Sequence, residues 1–386
     1  MAVEFLPGNR LTLLRSGVEY FPALEAAIHA AQREIFLEAY IYAGDATGRR
    51  ITRALCEAAS RGVAVHLLVD GFGSRDMPAE FSRALREAGA RLLVYRPEIW
   101  RFRFRRDRLR RLHRKMAVAD GRVAFVGGIN IIDDMETPRQ KPPRYDYAVK
   151  VEGPLVAPVR EAAVRLWNRI AMARLEHGWR VSHPVPLHVG RAGSQRAALV
   201  VRDNLRHRRD IEEAYLAAIG SAREEVIIAS AYFFPGRRFR RALVRAAARR
   251  VSVVLLLQGR VEYVLLHYAS RALYGTLLEA GVEIYEYHRS FMHAKVAVID
   301  GHWATVGSSN IDPFSLMLAR EANVVVEDRP FAAELRTRLR ADMEHGARVV
   351  AKTRWFRQPL WRRIPNWIGY ALARFTIGMF GFGGRF

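Results

Sequence analysis

The sequence predicts an α/β protein made of two similar halves that share one site. Three observations predict it. Helical and strand patterns alternate along the chain. Their order repeats in the second half. One motif also occurs twice, 180 residues apart: His113-x-Lys115-x4-Asp120-x6-Gly127-Gly128-x-Asn130 returns as His293-x-Lys295-x4-Asp300-x6-Gly307-Ser308-x-Asn310, every spacing kept.

In the first half a helical pattern runs from Tyr20 to Arg33, and an apolar run from Ile35 to Tyr42 follows. Residues 49–60 read as a helix. Val63 to Val69 reads as a strand closed by an Asp70-Gly71 turn, and a helix (79–88) and a strand (91–95) come next. The second half repeats the order. Asp210 to Ala222 is helical, Glu225 to Ala231 a strand, Arg238 to Arg249 helical and Val251 to Leu257 a strand. Arg271 to Ala280 is helical and Val282 to Tyr285 a strand, and then the motif returns. Pro184, Pro186, Gly190 and Gly193 place the join near residues 180–198. The expected units are residues 1–190, residues 191–350 and a tail, 351–386. Thr137 to Pro143 reads as a loop near the motif.

The 386 residues suit two domains of about 150 to 200 each, and a half-hydrophobic composition excludes disorder except at the ends. The net charge of +23 favours an anionic partner: nucleic acid, a membrane surface or an acidic substrate. Cys56 is the one cysteine, so no internal disulfide forms. No secretory signal pattern opens the chain, and no apolar stretch reaches the roughly 18 to 20 residues of a spanning helix. Trp367 to Phe382 is broken by Arg374 and glycines. Membrane contact, if made, is expected to be peripheral.

The motif points to phosphate chemistry. Only five of the 62 basic residues are lysines, and two of them occupy the same place in both copies. Side chains two apart on a strand share a face, so His113 and Lys115 point together, as do His293 and Lys295. Asp120-Gly121 and Asp300-Gly301 predict hairpin turns. Gly127, Gly128, Gly307 and Ser308 permit close backbone approach to an anion, with Asn130 and Asn310 as hydrogen-bonding neighbours. Facing copies supply one imidazole to attack phosphorus and one to protonate the leaving alcohol, with two ammonium groups for the phosphoryl oxygens. Asp120 and Asp300 join them as candidate catalytic residues; the alternatives are a turn role or support of an imidazole or lysine. No metal or cofactor is called for, because the Asp and Cys residues form no zinc or two-metal pattern. A single His-x-Lys is commonplace, but coincidence does not account for two copies matched at five residue types.

The paired motif resembles the signature of the phospholipase D superfamily, and the similarity spans residues 10–350. The resemblance implies duplicated α/β/α domains packed with pseudo-twofold symmetry around one active site. It implies a phosphohistidine intermediate, with His113 as nucleophile and His293 as general acid. Glu321 resembles the family's acidic partner of a catalytic histidine, and Asp146, in Tyr145-Asp146-Tyr147, its first-half counterpart. Gly127-Gly128-Ile129-Asn130, Ala231-Tyr232-Phe233-Phe234-Pro235-Gly236 and Leu278 to Tyr287 are similar to bacterial cardiolipin synthases of the shorter type, which lacks two N-terminal membrane spans. That implies transfer of a phosphatidyl group onto phosphatidylglycerol, at the cytoplasmic face of the inner membrane.

Two segments suit a lipid surface. Arg101, Arg103, Arg105, Arg106 and Arg108 interleave with Trp100, Phe102 and Phe104. The tail from Ala351 has no acid, and it sets Trp361, Arg362, Arg363 and Trp367 before an apolar helical pattern. The alternatives are a solvated basic loop and a C-terminal helix docked on its own core. A nuclease or other phosphodiesterase is the rival function, since charge and aromatics also suit single-stranded DNA. A catalytically silent binding protein is the other, against which both complete motifs weigh.

Overall fold

Valine, isoleucine, leucine and alanine dominate the strands; in this computed structural model fifteen of those described assemble into one sheet and two short ones pair separately. The structure describes residues 3–97, 110–137, 140–181, 190–203, 206–313, 315 and 319–379. Arg101, Arg103 and Arg105 lie outside the described residues.

The first half contributes β1 (Leu6–Arg15), β2 (Glu34–Ala39), β3 (Ala64–Asp70), β4 (Arg91–Tyr95), β5 (Lys115–Ala119), β6 (Val123–Gly127), the short β7 (Arg144–Tyr145) and β8 (Tyr147–Glu152). The second contributes β9 (Gln195–Arg202), β10 (Glu225–Ser230), β11 (Ser252–Gln258), β12 (Glu283–Tyr287), the short β13 (Phe291–Met292), β14 (Lys295–Ile299), β15 (Trp303–Gly307), β16 (Glu321–Glu327) and β17 (Ala347–Val349). Outward from the seam the orders are β1-β8-β6-β5-β2-β3-β4 and β9-β16-β15-β14-β10-β11-β12, with β17 at the far edge. The two halves therefore follow one plan. At the seam β1 and β9 run antiparallel, and Gln195 Oε1 accepts the Leu11 amide at 2.5 Å.

Strand alternation divides the core. Ile35, Leu37 and Ala39 face one cluster under the helices α1 (Ser16–Ala30), α2 (Ala46–Ser60) and α3 (Ala79–Glu87). Phe36, Met116 and Val118 face the opposite way. They join a cluster that also holds Ile227, Val296 and Val298 of the second half. The long helices α4 (Val156–Ala173) and Arg329–Gly346 line this common core with Val159, Leu166 and Trp167, and with Phe331, Leu335 and Leu339. The shared core fixes the halves against each other.

Several elements depart from expectation. The run Ile35 to Tyr42 is a strand only to Ala39; beyond it the Tyr40 carbonyl and the Ile41 and Tyr42 amides bond to the side chains of Ser74 and Asn130. The helix expected over Arg271 to Ala280 is shorter, Tyr274–Glu279, and a separate helix, Val264–Arg271, precedes it. The tail forms helices Lys352–Phe356 and Leu360–Met379.

Asp120 and Asp300 close their hairpins with φ of 53° and 49°, followed by left-handed Gly121 and Gly301, as an Asp-Gly turn requires. This puts each at the end of its strand opposite the histidine, roughly 20 Å away at strand rise. Their carboxylates hold backbone instead. Asp120 accepts the amides of Gln32, Arg33 and Glu34 at 2.8–3.0 Å, and Asp300 those of Arg223, Glu224 and Glu225 at 2.8–2.9 Å. These motif carboxylates pin the starts of β2 and β10 and do not reach the site. Asp120→Ala or Asp300→Ala is expected to cost roughly 2 kcal/mol of stability, because three amides lose their acceptor. Urea titration should show that loss, with turnover of the folded fraction within about threefold of the parent.

Candidate active site

Both His-x-Lys pairs lie at the seam ends of their strands, where the chain crosses between halves. Leu112 bridges to Arg320, and the His113 amide donates to the Arg320 carbonyl at 2.9 Å. In mirror fashion β13 pairs with β7, and the His293 amide donates to the Tyr145 carbonyl at 2.7 Å. Each crossing places one half's histidine beside the other half's acid. His113 Nδ1 lies 2.9 and 3.1 Å from the Glu321 carboxylate oxygens, and His293 Nδ1 lies 2.8 Å from Asp146 Oδ2. A carboxylate at Nδ1 selects the tautomer that donates from Nδ1, which leaves the Nε2 lone pair free.

The lysines differ in their surroundings. Lys115 Nζ donates to the His113 carbonyl at 2.6 Å and lies 5.2 Å from the Tyr40 ring centre. Lys295 Nζ donates to Asp146 Oδ2 at 3.1 Å and lies 2.7 Å from His293 Nδ1. All four groups are nearly closed to solvent, with His113 the most open at 15%. Burial dominates their electrostatics. It holds both imidazoles below the ordinary histidine range, His293 the further because Lys295 is beside it. Burial brings the Lys115 ammonium down to about 7, and lowers Lys295 as well. Burial opposes ionisation of Asp146, but the Lys295 charge and the His293 hydrogen bond outweigh it and hold the carboxyl below its usual range.

The small motif residues make room for these acids. A Cβ on Gly128 would sit 2.4 Å from the Asp146 carboxylate, and one on Gly127 2.5 Å from Ala148. A Cβ on Gly307 would meet the Asn323 amide at 2.1 Å. Ser308 takes the place of Gly128 and donates from Oγ to Glu321 Oε2 at 2.5 Å. Gly128 and Ser308 thus admit the neighbouring carboxylates, while Gly127 and Gly307 admit Ala148 and the Asn323 amide. Asn130 Oδ1 accepts the Ile41 amide at 3.0 Å. Asn310 is buried with its Oδ1 unpartnered.

Sequence reasoning missed two flanking rings. Tyr40 packs on His113 at 4.8 Å between ring centres, and Tyr232 on His293 at 6.1 Å. The signal was the Ala-Tyr pair that ends both strand patterns, Ala39-Tyr40 and Ala231-Tyr232. Among the described residues no cluster of His, Cys, Asp or Glu is arranged to hold a metal ion.

Residues 24–140 and 215–343 match the family described as "Cardiolipin synthase, PLD-like domain". The chain belongs to this family. It is therefore an enzyme of the phospholipase D superfamily. Cardiolipin synthase B of Escherichia coli K12 is 39% identical over 381 residues, which cover 99% of this chain and 92% of that protein. The major cardiolipin synthase ClsA of Bacillus subtilis is 28% identical, covering 96% of this chain and 76% of its own. In fold, the chain is similar to a phosphatidylserine synthase of Haemophilus influenzae. The TM-score is 0.68 at 13% identity, covering 91% of this chain and 90% of that one.

Lys115→Met should lower turnover by about 10²-fold or more, the scale of losing one donor to a developing oxyanion. Its melting temperature should equal or exceed the parent's at pH 7, because the variant removes a buried cation. The lowered Lys115 value also sets a pH limb. The unliganded site loses this positive charge as pH rises through about 7, so kcat/KM should fall there. A pH profile of the folded parent checks the limb. In unfolding titrations the same lysine should contribute stability that rises from about pH 7 towards its ordinary 10.5, where only the unfolded chain still binds the proton.

Proposed function

We propose that this protein joins two phosphatidylglycerol molecules into cardiolipin and releases glycerol, through a covalent phosphatidyl-histidine. The observation that carries this reading is the pair of crossed histidine–carboxylate contacts, each with a lysine two residues on, in a chain of the cardiolipin synthase family.

His113 Nε2 attacks the phosphorus of the first lipid while Lys115 and Lys295 stabilise its oxygens. The bond from phosphorus to the head-group glycerol oxygen breaks, and His293 Nε2 gives that oxygen a proton. The second phosphatidylglycerol then enters. Its hydroxyl attacks phosphorus and passes its proton to His293, and the phosphorus–nitrogen bond breaks to restore His113. Burial leaves the imidazoles neutral in the empty site; the negative charge of the arriving phosphodiester favours the protonated His293 that the first step needs. The greater exposure of His113 supports the assignment of nucleophile.

A lipid substrate requires contact with a bilayer, and the tail supports a peripheral one. The helix Leu360–Met379 docks on the second half through Ala373 and Ile377, with Tyr370 against Phe234. Its outer face exposes Trp361, Ile364, Trp367, Ile368, Leu372 and Phe375. Arg362 and Arg363 lie over Trp361 and Trp367, at 5.0 and 5.4 Å from the ring centres. Val261, Tyr263 and Val264, at the start of the helix Val264–Arg271, are exposed too. One helix thus serves both roles, docking with one face and offering aromatic and basic groups to anionic lipid with the other. No described helix is long and apolar enough to cross a membrane. We assign the protein to the cytoplasmic face of the inner membrane on this peripheral reading.

Purified protein with phosphatidylglycerol vesicles should yield cardiolipin and glycerol in equal amounts. With donor labelled at its phosphorus and an alkaline quench, label should appear on the parent protein during turnover, be chased off by unlabelled phosphatidylglycerol, and be absent from His113→Asn. Folded protein that cleaves DNA, or that turns lipid over without cardiolipin, would move the reading to a phosphodiesterase. Replacing Trp361, Trp367 and Phe375 together by serine should weaken flotation with anionic vesicles by at least about tenfold. Unchanged far-UV circular dichroism would show that the docked face still holds.

A further inference from the structure

One buried cation in the wall of the site keeps an unpaired donor. Arg144 is 9% exposed, and its Nε has no hydrogen-bond partner. Among the described residues its guanidinium makes no ion pair or side-chain hydrogen bond; it lies over the Phe291 ring, 4.9 Å from the centre, close enough for its charge to act on the carboxyls of Asp134 and Glu262 and on His293. A buried guanidinium N–H without a hydrogen-bonding partner is costly, and such groups are normally paired.

Its position says where a partner would come from. Residues two apart on an extended strand share a face, so Arg144 points to the same side as Asp146, which holds His293 at 2.8 Å. Tyr145 points the other way, into the common core. The Phe291 ring that carries the guanidinium lies 5.9 Å from the His293 ring. Arg144 also breaks the twofold plan. Tyr145 pairs with Met292 as Arg320 pairs with Leu112, so the twin of Arg144 is Ala319. Histidine, lysine and carboxylate are each supplied twice, whereas this arginine is supplied once, on the His293 side.

We propose that Arg144 holds the phosphodiester of the acceptor lipid, and so selects an alcohol that already carries a phosphate. The proposal rests on the phosphatidyl-transfer reading and names the acceptor subsite within it. The two lysines face the phosphate being transferred. The acceptor hydroxyl must reach His293 to deliver its proton, so the acceptor's own phosphate, three carbons away, falls on the His293 side. A planar guanidinium grips a phosphodiester through two parallel hydrogen bonds. Water, ethanol and free glycerol have no group for it.

The test is a competition between acceptors. Full-length protein is given phosphatidylglycerol vesicles containing ethanol, and cardiolipin and phosphatidylethanol are both measured. Arg144→Met should lower the ratio of cardiolipin to phosphatidylethanol by about tenfold or more, the loss expected for a charge-assisted hydrogen bond. Arg144→Lys, which keeps the charge without the fork, should recover part of the ratio. Because both products come from the same folded molecules, a partly unfolded variant does not alter the ratio. An unchanged ratio in Arg144→Met, with both products falling together, would overturn the acceptor role and return the residue to general phosphate binding or packing. A parent protein that forms phosphatidylethanol but no cardiolipin would instead remove the synthase reading beneath it.

Discussion

The site depends on an exchange: each half keeps its histidine and borrows its acid. His113 is held by Glu321 and His293 by Asp146, and no single half contains a complete pair. The exchange is geometric before it is chemical. The residues just before each histidine leave their own sheet and pair with the segment before the other half's acid. Main-chain hydrogen bonds of 2.7 and 2.9 Å then set the imidazoles in place. Any opening of the halves would break both pairs at once, and the shared core under the helices Val156–Ala173 and Arg329–Gly346 opposes such opening. The long helices and the common apolar face belong to the catalytic apparatus in this sense.

Much of this was legible in the sequence, and the limits have physical causes. The duplicated motif with its flanking Val, Ile and Ala runs announced β5, β6, β14 and β15, and the Asp-Gly turns took the left-handed conformation their chemistry favours. The α/β class followed from alternation alone. The crossing did not, because strand exchange between distant segments leaves no local signature in Arg144-Tyr145 or Phe291-Met292. Helix Val156–Ala173 was not predicted, although Val156, Val159, Ala163, Leu166 and Trp167 recur at helical spacing after Gly153-Pro154. The motif aspartates show the opposite failure. Their repetition suggested chemistry, whereas repetition also preserves a structural clamp on six backbone amides.

The twofold is not perfect. Gly128 leaves space for the shorter Asp146, and Ser308 donates to the longer Glu321. Lys295 shares Asp146 with His293, while Lys115 bonds to a backbone carbonyl. Two chemically equal imidazoles would be a poor basis for a reaction in which one attacks and one protonates. These differences in carboxylate length and lysine placement separate the two environments, and Lys295 lowers the proton affinity of His293 more directly than Lys115 lowers that of His113.

The empty site is poor in charge for its composition, and that has a consequence for substrate choice. Burial holds both imidazoles and both lysines below their ordinary proton affinities, and Lys115, brought down to about 7, and the two imidazoles are weakly charged at neutral pH until an anion arrives. A phosphodiester supplies that anion and draws protons onto the groups that then act on it. A neutral ester of the same shape supplies no such field and, on the proposed mechanism, leaves His293 without the proton that the leaving group requires. On the proposed reaction burial thus favours a phosphate ligand, because an arriving anion adds to Asp146 and Glu321 in offsetting the desolvation that disfavours the protonated imidazoles and Lys115.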